Sequence, residues 1–275
     1  MTPPAETVAD ALGARIVRQF SGGAFGAFHI RTAPGNDAVL KVLPDWPEYT
    51  VHRVETAADI VHGLIADGYP APRFLDVGAV GNTVYSVQEY IAAQVPQQLP
   101  GNAPAALLGL YRRHQSAAPG NFGGTWGAEL IERIHRVGEL RKDTTDTRIH
   151  RLVDRALDIA NTSDPEVFRT TDAVHGDFHP GNVLVEADAI TIIDWESARA
   201  GDSRADVIRM YAAMASWSHP GATLFRDEID RTTPPEVRRS IAAEIVALHL
   251  RYALHAEPDA LEWAVREAET LLGGP

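Results

Sequence analysis

The chain of 275 residues contains no cysteine, which excludes disulfides, cysteine-ligated zinc and thiol catalysis and suits a reducing compartment. No uninterrupted apolar run approaches the roughly 20 residues that a membrane-spanning helix needs. The opening residues "MTPPAETVAD" have neither the basic nor the apolar stretch of a secretory signal, so a cytoplasmic location is expected. Basic residues are the minority: 25 Lys and Arg against 37 Asp and Glu leave a formal net charge of −12. That balance disfavours nucleic acid and anionic membrane as partners and would favour a cationic small molecule. Nothing in the sequence points to an obligate protein partner. What is present, 45% hydrophobic and 23% charged residues, is enough for one large domain or two lobes sharing a cleft.

Residues 14–43 read as three strands, "ARIVRQF", "AFHIRT" and "AVLKVLP", separated by the turns "SGGAFG" and "APGND". Short β-rich runs punctuated by Gly, Pro and Asn-Asp are a meander signature. Thr50 then suits the N-cap of a helix whose apolar stripe is Val51, Val54, Ala58, Val61 and Ile65. "RFLDVGAV" and "TVYSVQEYI" predict a strand pair turning at Gly81-Asn82. The Pro-, Gln- and Ala-rich segment "AAQVPQQLPGNAPA" marks a lobe boundary, so residues 1–92 are expected to form an N-terminal lobe and 93–275 a C-terminal one. Beyond the boundary helical spacing dominates, over about 105–116, 127–140, 147–160, 204–217, 235–254 and 258–272. Two short strands, near 183–186 and 190–194, interrupt it. The arrangement predicted is a small α+β lobe, a hinge and a larger, mainly helical lobe.

Polar residues in apolar settings select the chemistry. "VHGDFHPGNVLV" at 174–185 packs two histidines, an aspartate and an asparagine beside a β-forming run. His175 and His179 are four apart, the spacing of a two-histidine metal site on a helix, which would serve a metal-dependent hydrolase. Gly176 and Pro180-Gly181 disfavour such a helix. The other reading is phosphoryl transfer. There a carboxylate orients the attacking hydroxyl, and separate oxygen ligands hold Mg²⁺ against the phosphates. Asp177, Asn182 and Asp194 of "TIIDWES" supply that set, and the strand pair 183–194 would draw Asn182 and Asp194 together. Upstream, the glycines of Ser21–Gly26 would let backbone N–H groups approach phosphate, although an ordinary hairpin uses the same residues. Lys41, flanked by aliphatics in "AVLKVL", needs either an anion or a path to solvent. Glu55, on the edge of its helix stripe, is its natural partner, unless it is a solvated surface carboxylate.

These motifs, in this order over about residues 20–206, resemble the aminoglycoside phosphotransferase/choline kinase-like family of small-molecule kinases. The resemblance rests on the Gly-rich turn, Lys41, Glu55, "QEYI" at 88–91, "HGDFHPGN" at 175–182 and "IIDWE" at 192–196. It implies an α+β, bilobal, protein-kinase-like fold and transfer of the γ-phosphoryl group of ATP or GTP to a hydroxyl of an aminoglycoside-like antibiotic or metabolite. Asp177 would then be the catalytic base, and Asn182 and Asp194 the Mg²⁺ ligands. Ser21, Gly22, Gly23 and Gly26 would cradle phosphate, Lys41 and Glu55 would form the phosphate-orienting pair, and backbone at Glu89, Tyr90 and Ile91 would bind adenine. His175 becomes a scaffold residue, and His179 stands where a γ-phosphate contact is made in protein kinases. Two departures are visible: Ser21 replaces the first glycine of G-x-G-x-x-G, and Trp195-Glu196 follows the metal aspartate, so Phe-driven switching is not expected. A nucleotide-binding module without turnover is the alternative from another class, against which stands the presence of Lys41, Asp177, Asn182 and Asp194. For the acceptor's ammonium groups the C-terminal candidates are Asp227, Glu228, Asp230, Glu257, Asp259 and Glu262. Arg199 and Arg204 could touch anions but read more readily as surface charges.

Overall fold

The computed structural model describes residues 4–20, 26–33, 35–43, 49–116, 125–187, 189–254 and 258–272. Ser21, Gly22 and Gly23, three of the expected phosphate-cradling residues, lie outside them, as does Glu257. The chain divides into two units, Met1–Gln98 with His175–Asp177 and Gly181–Arg199, and Leu99–Val174 with Phe178–Pro180 and Ala200–Pro275. Sequence composition places a boundary near residue 92, whereas the first unit continues to Gln98 and recruits a distant segment.

In the first unit, α1 (Pro4–Ala11) precedes β1 (Arg15–Gln19), β2 (Ala27–Arg31), β3 (Asp37–Val42), α2 (Val51–Ala66), β4 (Phe74–Val80) and β5 (Thr83–Glu89). The strands form one antiparallel sheet in the order β1-β2-β3-β5-β4. Alternation along each strand gives this sheet two chemically different faces. One carries Ile30, Ala38, Leu40, Tyr85 and Val87, which bury Val8 and Ala9 of α1. The other follows from the register His29↔Val39, Val39↔Gln88 and Lys41↔Ser86. It is a polar row on an otherwise apolar scaffold. The β4–β5 hairpin closes through Gly81 at φ +60°, where a positive φ suits glycine.

Thr50 caps α2 as expected, its side chain accepting the Arg53 N–H at 3.3 Å. Val54, Ala58 and Val61 of the expected stripe are buried, and Val51 and Ile65 half-buried. Glu55 is exposed. The later segment joins this unit through backbone: β7 (Val183–Glu186) pairs with β8 (Ala189–Ile192), Val185 N–H donates to Gln94 C=O at 3.0 Å, and Ile192 N–H to Pro70 C=O at 2.9 Å. Those bonds explain why the strand pair belongs with the sheet lobe.

The second unit contains α3 (Ala103–Ser116), α4 (Trp126–His135), α5 (Thr147–Thr162), β6 (Asp172–Val174), α6 (Arg204–Ser216), α7 (Ala222–Thr232), α8 (Pro235–Ala253) and α9 (Pro258–Leu272). The helix expected over 127–140 stops at His135 and continues as a 3₁₀ turn, Arg136–Lys142. Helix α8 buries residues on all sides, among them Val237, Ile241, Ala243, Ile245, Val246 and Leu250, because α4, α5, α6 and α9 surround it. Arg204, expected at the surface, is buried: its guanidinium pairs with the wholly buried Asp202, with Nε at 2.8 Å from Oδ1. A carboxylate two residues away makes that burial tolerable. No described helix is long and apolar enough to cross a membrane.

Candidate active site

Alternation puts Lys41 on the polar face of β3, opposite Ser86 of β5, in a place where an ammonium must find anions. It finds two: Nζ lies 2.6 Å from Asp194 Oδ1 and 2.9 Å from Glu196 Oε2. Burial opposes the lysine's charge, but Asp194 and Glu196 outweigh it and hold the ammonium above its ordinary pKa. Burial also pushes the Asp194 carboxyl up, and Lys41 reverses this, leaving Asp194 below the ordinary carboxylate value. For Glu196 burial wins: with Asp194 adding to it, the pKa stays raised despite Lys41. Glu196 receives two further hydrogen bonds on Oε1, from Ser86 Oγ at 2.9 Å and Gln88 Nε2 at 2.6 Å.

Sequence spacing pairs Lys41 with Glu55; the structure instead gives Lys41 to Asp194 and Glu196. Glu55 makes no ion pair among the described residues. The physical reason is the position of the α2 core face, which turns Val54, Ala57 and Ala58 inward and leaves Glu55 in solvent. Glu196, Ser86 and Gln88 are the site residues that sequence reasoning missed. A signal for the last two existed: in "VYSVQE" the polar residues alternate with buried Tyr85 and Val87 and therefore share the face of Lys41.

Asp194 itself sits in the left-handed region, φ 72° and ψ 48°, between β8 and a 3₁₀ turn Trp195–Ser197. A non-glycine residue there is uncommon, and aspartate tolerates it better than most. The residues around it are locked. Trp195 is buried, donates Nε1–H to Ile192 C=O at 2.9 Å, and meets Tyr69 edge-on with centroids 5.5 Å apart. His175 lies against the Trp195 ring at 4.3 Å.

The Asp177 segment is held from both ends. The Asp177 N–H donates to His175 Nδ1 at 3.1 Å, so the other ring nitrogen carries the proton and donates to Ile193 C=O at 2.9 Å. Both ring nitrogens of His175 are thus engaged by backbone groups. Among the described residues no group of three or more His, Cys, Asp or Glu side chains gathers to hold a metal. Asn182 donates its amide to the Asp177 backbone carbonyl at 2.9 Å and to its carboxylate at 3.1 Å. Ile193 N–H donates to Asn182 C=O at 3.0 Å, which brings Asn182 beside the residue preceding Asp194. Gly176 makes the connection possible: its φ is +84°, and a Cβ there would stand 2.9 Å from Ser197 C=O. Gly176→Ala is therefore expected to cost about 1–3 kcal/mol of unfolding free energy, from left-handed strain and crowding together. Urea unfolding would measure it; a variant as stable as the wild type contradicts the account.

Gly26 stands at the edge of the glycine turn, where its carbonyl accepts Val42 N–H at 3.3 Å. Glu89 ends β5, is exposed, and gives its N–H to Arg73 C=O at 2.9 Å. No backbone–backbone hydrogen bond among the described residues engages Tyr90 or Ile91. The Tyr90 ring lies 4.5 Å from that of His29 and nearly parallel to it, and Phe20 lies 6.4 Å from both. His179 belongs to the second unit and is half-buried. In that unit Asp206, in the first turn of α6, is wholly buried 3.2 Å from His114, whose ring meets Phe178 edge-on. Three of the acidic acceptor candidates are already held by arginines: Glu228 by Arg112 and Arg231, Asp230 by Arg238, and Glu262 by Arg148.

Tyr49 adds a pH-dependent contribution to stability. Its hydroxyl lies 3.2 Å from Ser197 Oγ, and burial, with the nearby Asp194, Glu196 and Asp177 adding to it, pushes its pKa up to about 12. Burial and the bond to Asp76 push Tyr85 up to about 12 as well. Each folded-state value is raised above the unfolded one, near 10. The stabilisation is thus whole below pH 10 and lost as pH climbs toward 12. For Tyr49 the loss is about 2–3 kcal/mol at about 1.4 kcal/mol per pKa unit. Unfolding free energy measured from pH 9 to 12 should fall, and Tyr49→Phe should flatten the fall; a flat wild-type profile contradicts it.

The sheet presents a half-buried lysine to two carboxylates, in the same unit as an Asp–Asn pair steadied by a histidine, an arrangement that suits a phosphotransferase. The family model of the phosphotransferase enzyme family matches residues 16–269, and the chain belongs to that family. Comparison with curated protein sequences returned no match. Among solved structures the chain is similar to a thermostable mutant of aminoglycoside phosphotransferase APH(4)-Ia in ternary complex with AMP-PNP and hygromycin B. The identity is 18% and the TM-score 0.69, over 99% of this chain and 98% of that one. It is similar also to a mutant of aminoglycoside 2'-phosphotransferase-IIIa in its GDP complex, at 14% identity and TM-score 0.63 over 97% and 95% of the two chains. A third is the amicoumacin kinase hAmiN in complex with AMP-PNP, Ca²⁺ and Ami, at 10% identity and TM-score 0.61 over 99% and 93%. At such identities the likeness is one of fold.

Proposed function

We propose that this protein transfers the γ-phosphoryl group of ATP or GTP to a hydroxyl of a small acceptor, an aminoglycoside-like antibiotic or another hydroxylated metabolite. The observation that carries the reading is the convergence of Lys41, Asp177, Asn182 and Asp194 within one unit, each restrained by hydrogen bonds. Asp177, its carboxylate steadied by Asn182, accepts the proton of the attacking hydroxyl. Lys41 offers its ammonium to the phosphates, and the backbone of Tyr90 and Ile91 meets the base. Asp194, whose side chain is 41% exposed, and the side-chain carbonyl of Asn182 would supply hard oxygen donors, the chemistry that Mg²⁺ takes. When bound there, the ion would neutralise phosphate charge. The residues themselves supply position and electrostatics, the two terms that dominate phosphoryl transfer. The protein's excess of acidic residues favours an acceptor with positive charge, and a site in the cytoplasm suits a nucleotide donor.

The test is a phosphate-transfer screen with Mg·ATP and Mg·GTP across hydroxylated antibiotics, sugars and amino alcohols, read by mass increase of the acceptor. Transfer to one class supports the reading. Nucleotide binding by thermal shift without transfer to any acceptor would favour the binding module instead.

A further inference from the structure

Lys41 has two carboxylate partners, and they differ in kind. The Asp194 side chain is 41% exposed and that of Glu196 only 3%. Asp194 also belongs to the oxygen donor set, so its hold on Lys41 is shared with whatever enters the site. Glu196 is tied down elsewhere: Ser86 and Gln88 of β5 occupy its Oε1, leaving Oε2 for Lys41. Ser86 is also the register partner of Lys41 across β3 and β5. The sheet thus fixes lysine and glutamate from the same strand pair. Glu55, in contrast, stands on the solvent side of α2.

We propose that Glu196, braced by Ser86 and Gln88, is the positioning residue that aims Lys41 at the nucleotide phosphates, in the place where sequence spacing puts Glu55. The proposal rests on the kinase reading above. It makes the lysine's orientation a property of β3, β5 and the turn after Asp194, with no side chain of α2 holding the ammonium. Glu196→Gln tests it cleanly. The amide oxygen must still face the two donors Ser86 and Gln88, so the amide nitrogen is left facing the Lys41 ammonium, donor against donor. Lys41 loses its fixed partner while the packing volume is kept.

The experiment measures binding of AMP-PNP and of adenosine, at fixed Mg²⁺, to the wild type and to Glu196→Gln, Glu55→Gln and Ser86→Ala. Because Lys41 acts on phosphates alone, Glu196→Gln should weaken AMP-PNP by about 10- to 100-fold, the size of a hydrogen bond to a charged group. Adenosine should stay within about twofold. Glu55→Gln should cost less than Glu196→Gln. If Glu196→Gln does not fold, Ser86→Ala, which removes one brace and no charge, should still weaken AMP-PNP severalfold and spare adenosine. Equal losses for both ligands, a larger loss from Glu55→Gln, or a loss restored by raising Mg²⁺ would each overturn the proposal. Wild-type protein that binds neither AMP-PNP nor its guanine counterpart overturns the nucleotide reading itself.

Discussion

Asp177→Ala is expected to lower phosphoryl transfer by about three orders of magnitude while leaving AMP-PNP affinity within about threefold. The wild-type carboxylate is positioned before any substrate arrives, with Asn182 on its oxygen and His175 on its backbone N–H. Such preorganisation is what a general base contributes, because no reorganisation is left for the moment of reaction. The substitution takes away the carboxylate and little else. Asn182 keeps the backbone carbonyl of residue 177, and His175 keeps both of its bonds, so the segment retains its course. Lys41, Asp194 and Glu196 bond to one another and not to Asp177. Removing one negative charge near them favours phosphate, so any change in nucleotide affinity should be toward tighter binding. The measurement is single-turnover transfer to an acceptor from the screen, beside AMP-PNP titration. Wild-type rates in the variant would reject Asp177 as the base, and a collapse of AMP-PNP affinity would assign it to binding instead.

Local signals carried much of this architecture and failed where pairing is long-range. The meander, the Gly81-Asn82 hairpin and the Thr50 cap are written in contiguous residues, and the structure forms them as read. The short helix α1 escaped notice because alanines carry much of its burial: Ala5, Val8 and Ala9 are the buried residues of an eight-residue segment. Helix α7 hides for a similar reason, with its apolar anchors reduced to Phe225 and Ile229. At the site, Lys41 and Asp194 stood out as polar residues in aliphatic runs. Glu196 did not, since "DWES" reads as an ordinary polar turn until the fold brings it to Ser86 and Gln88, 110 and 108 positions earlier. The misassigned partner of Lys41 has the same origin. Helical spacing shows that Glu55 borders the core face of α2, but not which way that border points once α2 packs on the turn Trp195–Ser197.

The second large effect is expected at Asp194, and asparagine is the substitution that reports on chemistry alone. Alanine at φ 72° would add backbone strain of about 1–2 kcal/mol, whereas asparagine tolerates the left-handed region nearly as well as aspartate. Asp194→Asn keeps the turn and removes one negative charge. Lys41 retains Glu196 at 2.9 Å, so the sheet side of the site stays assembled. What is lost is the half-exposed carboxylate proposed above to attract a divalent cation. AMP-PNP binding should therefore lose most of its dependence on Mg²⁺, and transfer should fall by about two orders of magnitude or more. The pH response distinguishes this from unfolding. The Asp194 carboxyl lies below its ordinary value because Lys41 stabilises its charge, after burial has opposed it. A depressed folded-state value stabilises the protein above the unfolded pKa, and that stabilisation drains away as pH falls through the folded one. Asp194→Asn should then flatten the acid limb of the stability profile at the same time as it erases the Mg²⁺ response. An unchanged Mg²⁺ titration in the asparagine variant would remove Asp194 from the metal-holding set and leave it only as a partner of Lys41.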